Sequence, residues 1–231
     1  HIWAETYDRD ESDLFELQSS VAIEIAKAMK SELTIEEKTR INEVLTNSTP
    51  AYEYYLKGNM YDNAGHVEFN MLAAIKEYER SVALDSSFAE AHARLGKMHA
   101  HLRWYGVDLS EKRMIIAKKH IDKAMSLKPN NSVVRTARGV YFYHGYRDYG
   151  KAMADFQYAR DLEPGNAMFN LYVGTIYRRL GDYVKAQESI RHYSWKVQDN
   201  LAASVSFFSP LQSKICANRL KKQKLQPHRR K

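Results

Sequence analysis

The sequence predicts an all-α fold, a solenoid of about four helix–turn–helix repeats, and three observations lead to this prediction. The first is a glycine with an aromatic residue or a histidine three positions later, followed in the next helix by an alanine and then a large residue. This signature occurs as Gly58/Tyr61 with Ala74/Tyr78, Gly96/His99 with Ala117/Ile121, Gly139/Phe142 with Ala152/Phe156, and Gly174/Tyr177 with Ala186/Ile190. The second observation is that large apolar residues between these positions recur at helical spacing. The third is a period of 35 residues, which separates Pro129 from Pro164 and Gly139 from Gly174.

The signature residues are predicted to lie where the two helices of a repeat touch. The glycine of the first helix leaves room for the second helix to approach, and the alanine of the second helix does the same in return. Pro129 and Pro164 are predicted to follow the ends of second helices, since proline cannot continue a helix and restricts the residue before it. A 35-residue period fits such a pair of helices better than a leucine-rich repeat or a propeller blade.

Two runs of the sequence resemble a known repeat family. They are Gly174-x2-Tyr177-x3-Gly181-Asp182-Tyr183-x2-Ala186 and Ala152-x3-Phe156-x2-Ala159-x4-Pro164. Both are similar to the tetratricopeptide repeat (TPR), and the similarity covers about residues 50–199 as four units. The first unit has about four additional residues around 63–70, and the second has about nine within 101–112. These additions are expected either to lengthen the turns or to extend the helices.

The resemblance implies that the first helix of each pair lines a concave groove, which binds a partner. Repeat positions carried over one by one place twelve residues there: Tyr52, Tyr55, Asn59, Lys97, His101, Thr136, Tyr143, His144, Leu171, Thr175, Arg178 and Arg179. Asp62 and Glu90 fall on the same side. A peptide or partner helix with acidic groups near Arg178 and Arg179 would suit this groove, because guanidinium groups pair strongly with carboxylates.

Blander interpretations of the same residues stay open. Arg178 and Arg179 are equally well explained as a solvated helix end, and the tyrosines as packing residues. Chaperone-binding TPR domains use basic and asparagine side chains to hold a terminal carboxylate, and here only Asn59 matches that pattern. The sequence therefore disfavours a chaperone cofactor, and the TPR resemblance implies a non-catalytic protein–protein interaction scaffold.

Composition and motifs disfavour several other classes of protein. The chain has 231 residues, 44% of them hydrophobic, and no apolar run approaches the length of a membrane span. Its single cysteine, Cys216, excludes an internal disulfide and favours a cytoplasmic location. We find no phosphate-binding glycine loop, nucleophile elbow or zinc-protease motif, so neither catalysis nor a cofactor is expected. His92 and His99 fall at repeat positions that face a partner helix, and His120 lies in the following helix, which together predict packing rather than metal binding.

The positive charge is concentrated at the end of the chain. The formal net charge is +7, yet no acidic residue follows Asp199. The basic residues after it are Lys214, Arg219, Lys221, Lys222, Lys224, Arg229, Arg230 and Lys231. Residues 200–231 are therefore predicted to contain a capping helix and a basic tail. This tail either is simply solvated or binds nucleic acid or an anionic surface through phosphate contacts, which is the alternative function.

The beginning of the chain differs in pattern from the repeats. Residues 1–9 alternate as a strand does, and Asp10 or Ser12 is predicted to cap a following helix. Thr34 begins a capping box, which predicts another short helix to about Leu45. The run Ile2-Trp3-Ala4-Glu5-Thr6-Tyr7-Asp8-Arg9, followed by Asp13-Leu14-Phe15 and Gln18, resembles the end of the TolB-like domain of bacterial regulators related to adenylate cyclases.

That resemblance implies a domain organisation with three parts. Residues 1–48 would be the remnant of an upstream α/β domain, 49–199 four TPR-like repeats, and 200–231 the cap and tail. The rest of the α/β domain would then lie upstream of His1. Because an isolated strand is not stable, residues 1–10 are expected to fray, to lie on the first repeats or to pair with a second copy as a homodimer.

Overall fold

The computed structural model describes residues 20, 23–25, 35, 38–39, 42–164 and 166–198, and the side chains of the last helix only as far as Arg191. Within these residues the chain is all α-helical in architecture and contains no strand. The chain divides into two compact units between Leu127 and Lys128. The predicted N-terminal strand and the basic tail lie outside the described residues. Of the helix predicted to follow Asp10 or Ser12, only Ser20 and residues 23–25 are described, and they are helical.

Unit 1 contains two helical hairpins. They are formed by α1 (Thr49–Asn63) with α2 (Glu68–Leu84), and by α3 (Ala89–Trp104) with α4 (Glu111–Leu127). Within unit 1, α2 also packs against α3, so the hairpins stack as consecutive repeats do. Helix α3 is the most deeply buried element, because nearly all of its side chains from Ala89 to Leu102 are buried.

Unit 2 also contains two hairpins. Helix α5 (Ser132–Val140) continues into a π-helical segment (Tyr141–Tyr146), and both pack against α6 (Tyr149–Leu162). The second hairpin joins α7 (Met168–Leu180) to α8 (Tyr183–Gln198), and α6 packs against α7. The stacked rings of Phe156 and Tyr172, 4.6 Å apart, lie between α6 and α7.

Local sequence explains where several helices begin and end. The Ser48 hydroxyl accepts a hydrogen bond from the Ala51 amide at 3.3 Å, and Asn131 caps α5 in the same way. Helices α4 and α6 end two residues before Pro129 and Pro164, as predicted. Gly181 ends α7 in the left-handed conformation, with φ of +83°, which glycine adopts without strain.

The glycine of each repeat lies against the large residue of the signature, which confirms the predicted helix contacts. A Cβ atom added to Gly58 would stand 2.4 Å from a ring carbon of Tyr78. The corresponding distances from the other glycines are 2.8 Å for Gly96 to Ile121, 2.6 Å for Gly139 to Phe156 and 2.7 Å for Gly174 to Ile190. The four alanines of the signature are buried. A methyl group at any of these glycines would therefore push the helices apart.

The additional residues of the first two repeats are shared between helices and turns. Helices α2 and α4 begin six residues before their signature alanines, whereas α6 and α8 begin three residues before theirs. The turn between α3 and α4 has six residues, and the turn between α7 and α8 has two. Both alternatives left open by the sequence are thus realised, because the second helices gain about one turn and the connections also lengthen.

The π-helical segment is a feature that the sequence analysis did not predict. Ala152 follows Gly139 by thirteen positions, whereas Ala186 follows Gly174 by twelve. A π-turn accommodates one additional residue within a helix without breaking it. The segment Tyr141–Tyr146 therefore absorbs this one-residue difference, and Arg147 closes it in the left-handed conformation with φ of 55°.

The segment before α1 differs from the prediction in where its helix ends. Ile35, Lys38 and Thr39 are helical, but 43–46 are not, so the helix predicted to reach Leu45 ends earlier. Leu45 instead packs against the core of unit 1. The Thr46 hydroxyl donates a hydrogen bond to Asp85 at 2.5 Å, which holds the chain in its non-helical path.

Candidate binding faces on the first helices

The candidate site is described as two separate faces. The unit 1 face consists of the side chains of α1 and α3 that the TPR resemblance places on the binding side. The unit 2 face consists of the corresponding side chains of α5, the π-helical segment and α7. In each unit, first-helix side chains from two neighbouring repeats make direct contact.

A buried ion-pair cluster lies at the centre of the unit 1 face. The Lys97 ammonium donates a hydrogen bond to the Asp62 carboxylate at 2.6 Å, and the Arg94 guanidinium donates to the same oxygen at 3.3 Å. Asp62 and Lys97 are 8% and 7% exposed. One carboxylate therefore serves two cations from the neighbouring helix, and the cluster joins α1 to α3.

Burial and charge act against each other in this cluster. Burial alone would raise the pKa of the Asp62 carboxyl, but the charges of Lys97 and Arg94 hold that pKa below its usual value. Burial lowers the pKa of the Lys97 ammonium to about 8, although Asp62 opposes this shift. The carboxylate is thus the strongly ionised member of the cluster, and Lys97 is the member that loses its charge most easily.

Tyrosine side chains form another part of the unit 1 face. The rings of Tyr52 and Tyr55 stack at 6.1 Å, and Tyr55 also lies 4.8 Å from Phe88. The Asn59 side-chain oxygen accepts a hydrogen bond from Tyr78 at 2.8 Å. These tyrosines belong to the core of unit 1, which agrees with the packing interpretation.

His101 lies at the other end of the same face. The centroid of its ring lies 4.6 Å from that of His66, and the His66 ring stacks on Tyr105 with centroids 5.0 Å apart. His101 is buried, and burial lowers the pKa of His66, so the latter imidazole is neutral at physiological pH. The unit 1 face is thus a closely packed surface with its charges already paired.

The unit 2 face has a different character. Arg179 of α7 donates a hydrogen bond from Nε to the Tyr143 hydroxyl at 3.2 Å, and this bond raises the pKa of Arg179. Tyr143 is buried and its ring lies 4.9 Å from that of His144. The π-helical segment therefore places Tyr143 where it meets the neighbouring repeat.

The remaining predicted residues of unit 2 are half-buried, and all of them except Leu171 are polar. Thr136 donates to the Ser132 carbonyl at 2.7 Å, and Thr175 donates to the Leu171 carbonyl at 2.8 Å, both within their own helices. Arg178 is half-buried, and its guanidinium makes no hydrogen bond or ion pair with the part of the chain that the structure describes. A cation with unused donors thus lies beside the Tyr143–Arg179 contact.

The predicted site residues are therefore distributed over the two faces. In unit 1 Lys97 forms an ion pair with Asp62. In unit 2 Tyr143 accepts a hydrogen bond from Arg179, and its ring contacts that of His144. Arg94 was missed, although Glu90, Arg94, Lys97 and His101 are spaced four, three and four residues apart and so share one side of α3. That spacing is the signal from which Arg94 follows.

Comparison with one solved structure, at a TM-score of 0.50, supports the TPR-type repeat fold. TTC0263, a thermophilic TPR protein of Thermus thermophilus, is 14% identical and has a TM-score of 0.50, with 92% of this chain and all of that chain covered. Pseudomonas aeruginosa PilF is 16% identical with a TM-score of 0.46, covering 94% and 93% of the two chains. MamA from Desulfovibrio magneticus RS-1 is 17% identical with a TM-score of 0.44, covering 84% and 99%. At these identities the likeness concerns the fold alone.

One curated relative is similar in sequence, and no protein-family model matches. The relative is named "Putative adenylate cyclase 3" and comes from Rhizobium meliloti (strain 1021). It is 30% identical over 98 residues, which are 41% of this chain and 16% of the relative. The chain thus spans only a small part of the length of that protein. None of the described helices is both long and apolar enough to cross a bilayer.

Proposed function

We propose that this chain is a non-catalytic scaffold that binds a peptide or partner protein on the first helices of its TPR-type repeats. The observation that carries the proposal is the contact between first-helix side chains of neighbouring repeats in each unit. Such contacts fix the relative positions of side chains over two repeats, and a rigid array of this kind suits recognition of an extended segment.

The unit 2 face is the part of the scaffold that we expect to recognise charge. Arg178 and Arg179 project from the last turn of α7, and Arg178 has donors to spare. The half-buried Thr136 and Thr175 lie on the same first helices. An acidic side chain or a terminal carboxylate would form charge-assisted hydrogen bonds with the Arg178 guanidinium, because its planar donors match a carboxylate.

The unit 1 face is proposed to act mainly as a rigid support. Its central charges, Asp62, Lys97 and Arg94, already neutralise one another in part, and its tyrosines are in the core. Opening this cluster for a ligand would leave a buried charge without a partner, which is costly. The selectivity of the scaffold is therefore assigned to unit 2.

The biological setting belongs to the same proposal. The TolB-like resemblance of the first residues and the similarity to a relative named as an adenylate cyclase both suggest a bacterial signalling or regulatory protein. In such a protein the repeats would bind a partner while another part of the polypeptide performs the output reaction. The proposal concerns only the binding role of this chain.

The test is a comparison of three full-length baits in a bacterial lysate. They are the parent, Arg178→Glu on the unit 2 face, and Arg160→Glu, a matched charge reversal on the second helix α6. We expect a partner that the parent and Arg160→Glu retain and that Arg178→Glu loses. Circular dichroism on all three baits would establish that they are equally folded.

A binding assay with the captured protein then separates charge recognition from general adhesion. Peptides from its acidic segments should bind the parent, and replacement of their Asp and Glu by Asn and Gln should weaken binding at least about tenfold, the effect of one lost charge-assisted contact. Equal retention by all three baits would contradict the assignment to the unit 2 face. Retention that survives neutralisation of the peptides would contradict the acidic partner.

A further inference from the structure

Two histidines of unit 1 face each other through the same ring atom. His92 lies on α3 and His120 on α4, and their Nδ1 atoms are 2.9 Å apart. The rings are nearly parallel, with centroids 5.1 Å apart and an interplanar angle of 25°. His92 is almost completely buried, whereas His120 is half-buried, so the pair lies at the edge of the helix contact.

A backbone carbonyl determines the tautomer of His92. Its Nε2 atom lies 3.2 Å from the carbonyl oxygen of Ser86, which can only accept a hydrogen bond. Nε2 of a neutral His92 therefore carries the hydrogen, and its Nδ1 lone pair points at His120. In metal sites a hydrogen bond of this kind from the second ring nitrogen orients the ligating nitrogen.

The surroundings keep both imidazoles neutral. Burial lowers the pKa of His92, and burial together with the proximity of His92 lowers the pKa of His120 to about 4. Both rings therefore have a lone pair available at physiological pH, which ligation requires. In the empty pair, Nδ1–H of His120 donates to Nδ1 of His92.

We propose that His92 and His120 form a two-imidazole site for a divalent copper ion, with water as the remaining ligands. Metal–imidazole bonds are about 2.0–2.1 Å long, so two nitrogens 2.9 Å apart subtend an angle of about 90° at a shared ion. That angle suits the square-planar or tetragonal geometry of Cu²⁺ better than the tetrahedral geometry of Zn²⁺. No group of three or more protein ligands occurs among the described residues, so this site would be open to water.

Binding requires no redox step and no net release of a proton. The ion displaces the hydrogen between the rings and lies to one side of the line that joins the two Nδ1 atoms. The displaced hydrogen leaves Nδ1 of His120 for water, while Nε2 of the same ring gains one from water. His120 stays neutral, and two nitrogen–metal bonds replace one hydrogen bond. His92 keeps its bond to the Ser86 carbonyl throughout.

The charged neighbours set the strength of the site. Lys119 and Lys123 on α4 disfavour a second positive charge, but their side chains are exposed and their effect is screened by salt. Asp85, which precedes α3, favours the cation. His99 is not a ligand, since its Nδ1 lies 3.3 Å from the Arg113 guanidinium and accepts from it. We therefore expect the two lysines to weaken binding without preventing it.

The test uses Cu²⁺ titrated into the full chain at neutral pH, followed by electron paramagnetic resonance. The parent should show an ion with two imidazole nitrogens, and the affinity of His120→Ala for that ion should fall at least about tenfold, as expected for loss of one of two protein ligands. His66→Ala, a change at another partly buried histidine of unit 1, serves as the matched control and should keep the parent affinity. Copper should also raise the melting temperature of the parent and of His66→Ala, but not that of His120→Ala.

Background binding by the other histidines is common to the parent and His120→Ala and therefore cancels between these two proteins. Equal affinity of the parent and His120→Ala would overturn the proposal, as would a spectrum with a single nitrogen ligand in the parent. If His120→Ala proves unfolded by circular dichroism, His120→Gln replaces it in the same comparison. A site that prefers Zn²⁺ over Cu²⁺ would overturn the assignment of the ion.

Discussion

At the scale of single residues, each unit contains one buried carboxylate shared by two cations. In unit 1 Asp62 pairs with Lys97 and Arg94. In unit 2 Asp155 accepts from Arg138 at 2.8 and 2.6 Å and from Arg135 at 3.4 Å. The members of such a group do not contribute equally to stability. Loss of one cation leaves an ion pair, whereas loss of the carboxylate leaves two cations facing each other.

This inequality predicts different costs for two substitutions in the same cluster. Asp62→Asn should lower the free energy of unfolding by about 3–5 kcal/mol, because it leaves the buried Lys97 and the partly buried Arg94 without their anion. Lys97→Met should change it by about 1 kcal/mol or less, since Arg94 still neutralises Asp62 and the methionine side chain packs without desolvation of a charge. Urea unfolding followed by circular dichroism measures both. Equal losses for the two variants would contradict the role assigned to the carboxylate.

His99 predicts how stability depends on pH. Burial, with the charge of Arg113 beside it, lowers the pKa of His99 from 6.5 to about 4. Between these values the unfolded chain binds the proton and the folded chain does not, so stability is complete above pH 6.5 and falls as the pH drops towards 4. The loss at about pH 5 should be about 2 kcal/mol for this group.

The measurement is a series of urea denaturation curves between about pH 7.5 and about pH 5, for the parent and for His99→Gln. Glutamine does not titrate, but its side-chain oxygen can still accept from Arg113. The variant should therefore lose less stability than the parent over this interval. A variant with the same pH dependence as the parent would show that His99 titrates normally in the folded chain.

At the scale of elements, most of the fold could be predicted from the sequence, because each helix contact recurs in all four repeats. The pairing of Gly58 with Tyr78 follows from the same spacing as that of Gly139 with Phe156, and the structure confirms both. The π-helical segment corresponds to one additional residue in the third repeat, a difference that by itself does not distinguish a π-turn from a longer connection. The spacing of α3 places Arg94 on the same side as Lys97, but it does not tell which of the two cations reaches Asp62 on the neighbouring helix.

Two glycines of unit 2 provide a matched test of the predicted helix contacts. Gly139→Ala should destabilise unit 2 by about 1–3 kcal/mol, because the new Cβ would stand 2.6 Å from the Phe156 ring. Gly150→Ala should instead stabilise it by about 0.5–1 kcal/mol, since its Cβ would meet only Asp148 at 3.7 Å and alanine favours the helix. Thermal unfolding of both variants gives the signs. A neutral Gly139→Ala would show that α5 and α6 are less closely packed than described.

At the scale of the whole molecule, each of the two units buries apolar residues of its own. The core of unit 1 extends from Ala51 to Leu102, and the buried residues around Ala152 in unit 2 come from α5, α6 and α7. In repeat proteins, stability is the sum of the contributions of individual repeats and of the contacts between neighbours. A local lesion should therefore be felt most strongly in the unit that contains it.

Ala152→Glu tests this expectation. Ala152 is completely buried, and a glutamate there would place an unpaired carboxylate between α5 and α6, at a cost of several kcal/mol. Native-state hydrogen exchange should show the amides of α6 losing protection, while those of α2 and α3 retain most of theirs. Equal loss in all of these helices would mean that the chain unfolds as one cooperative array, and unchanged exchange in α6 would mean that Ala152 does not lie at a helix contact.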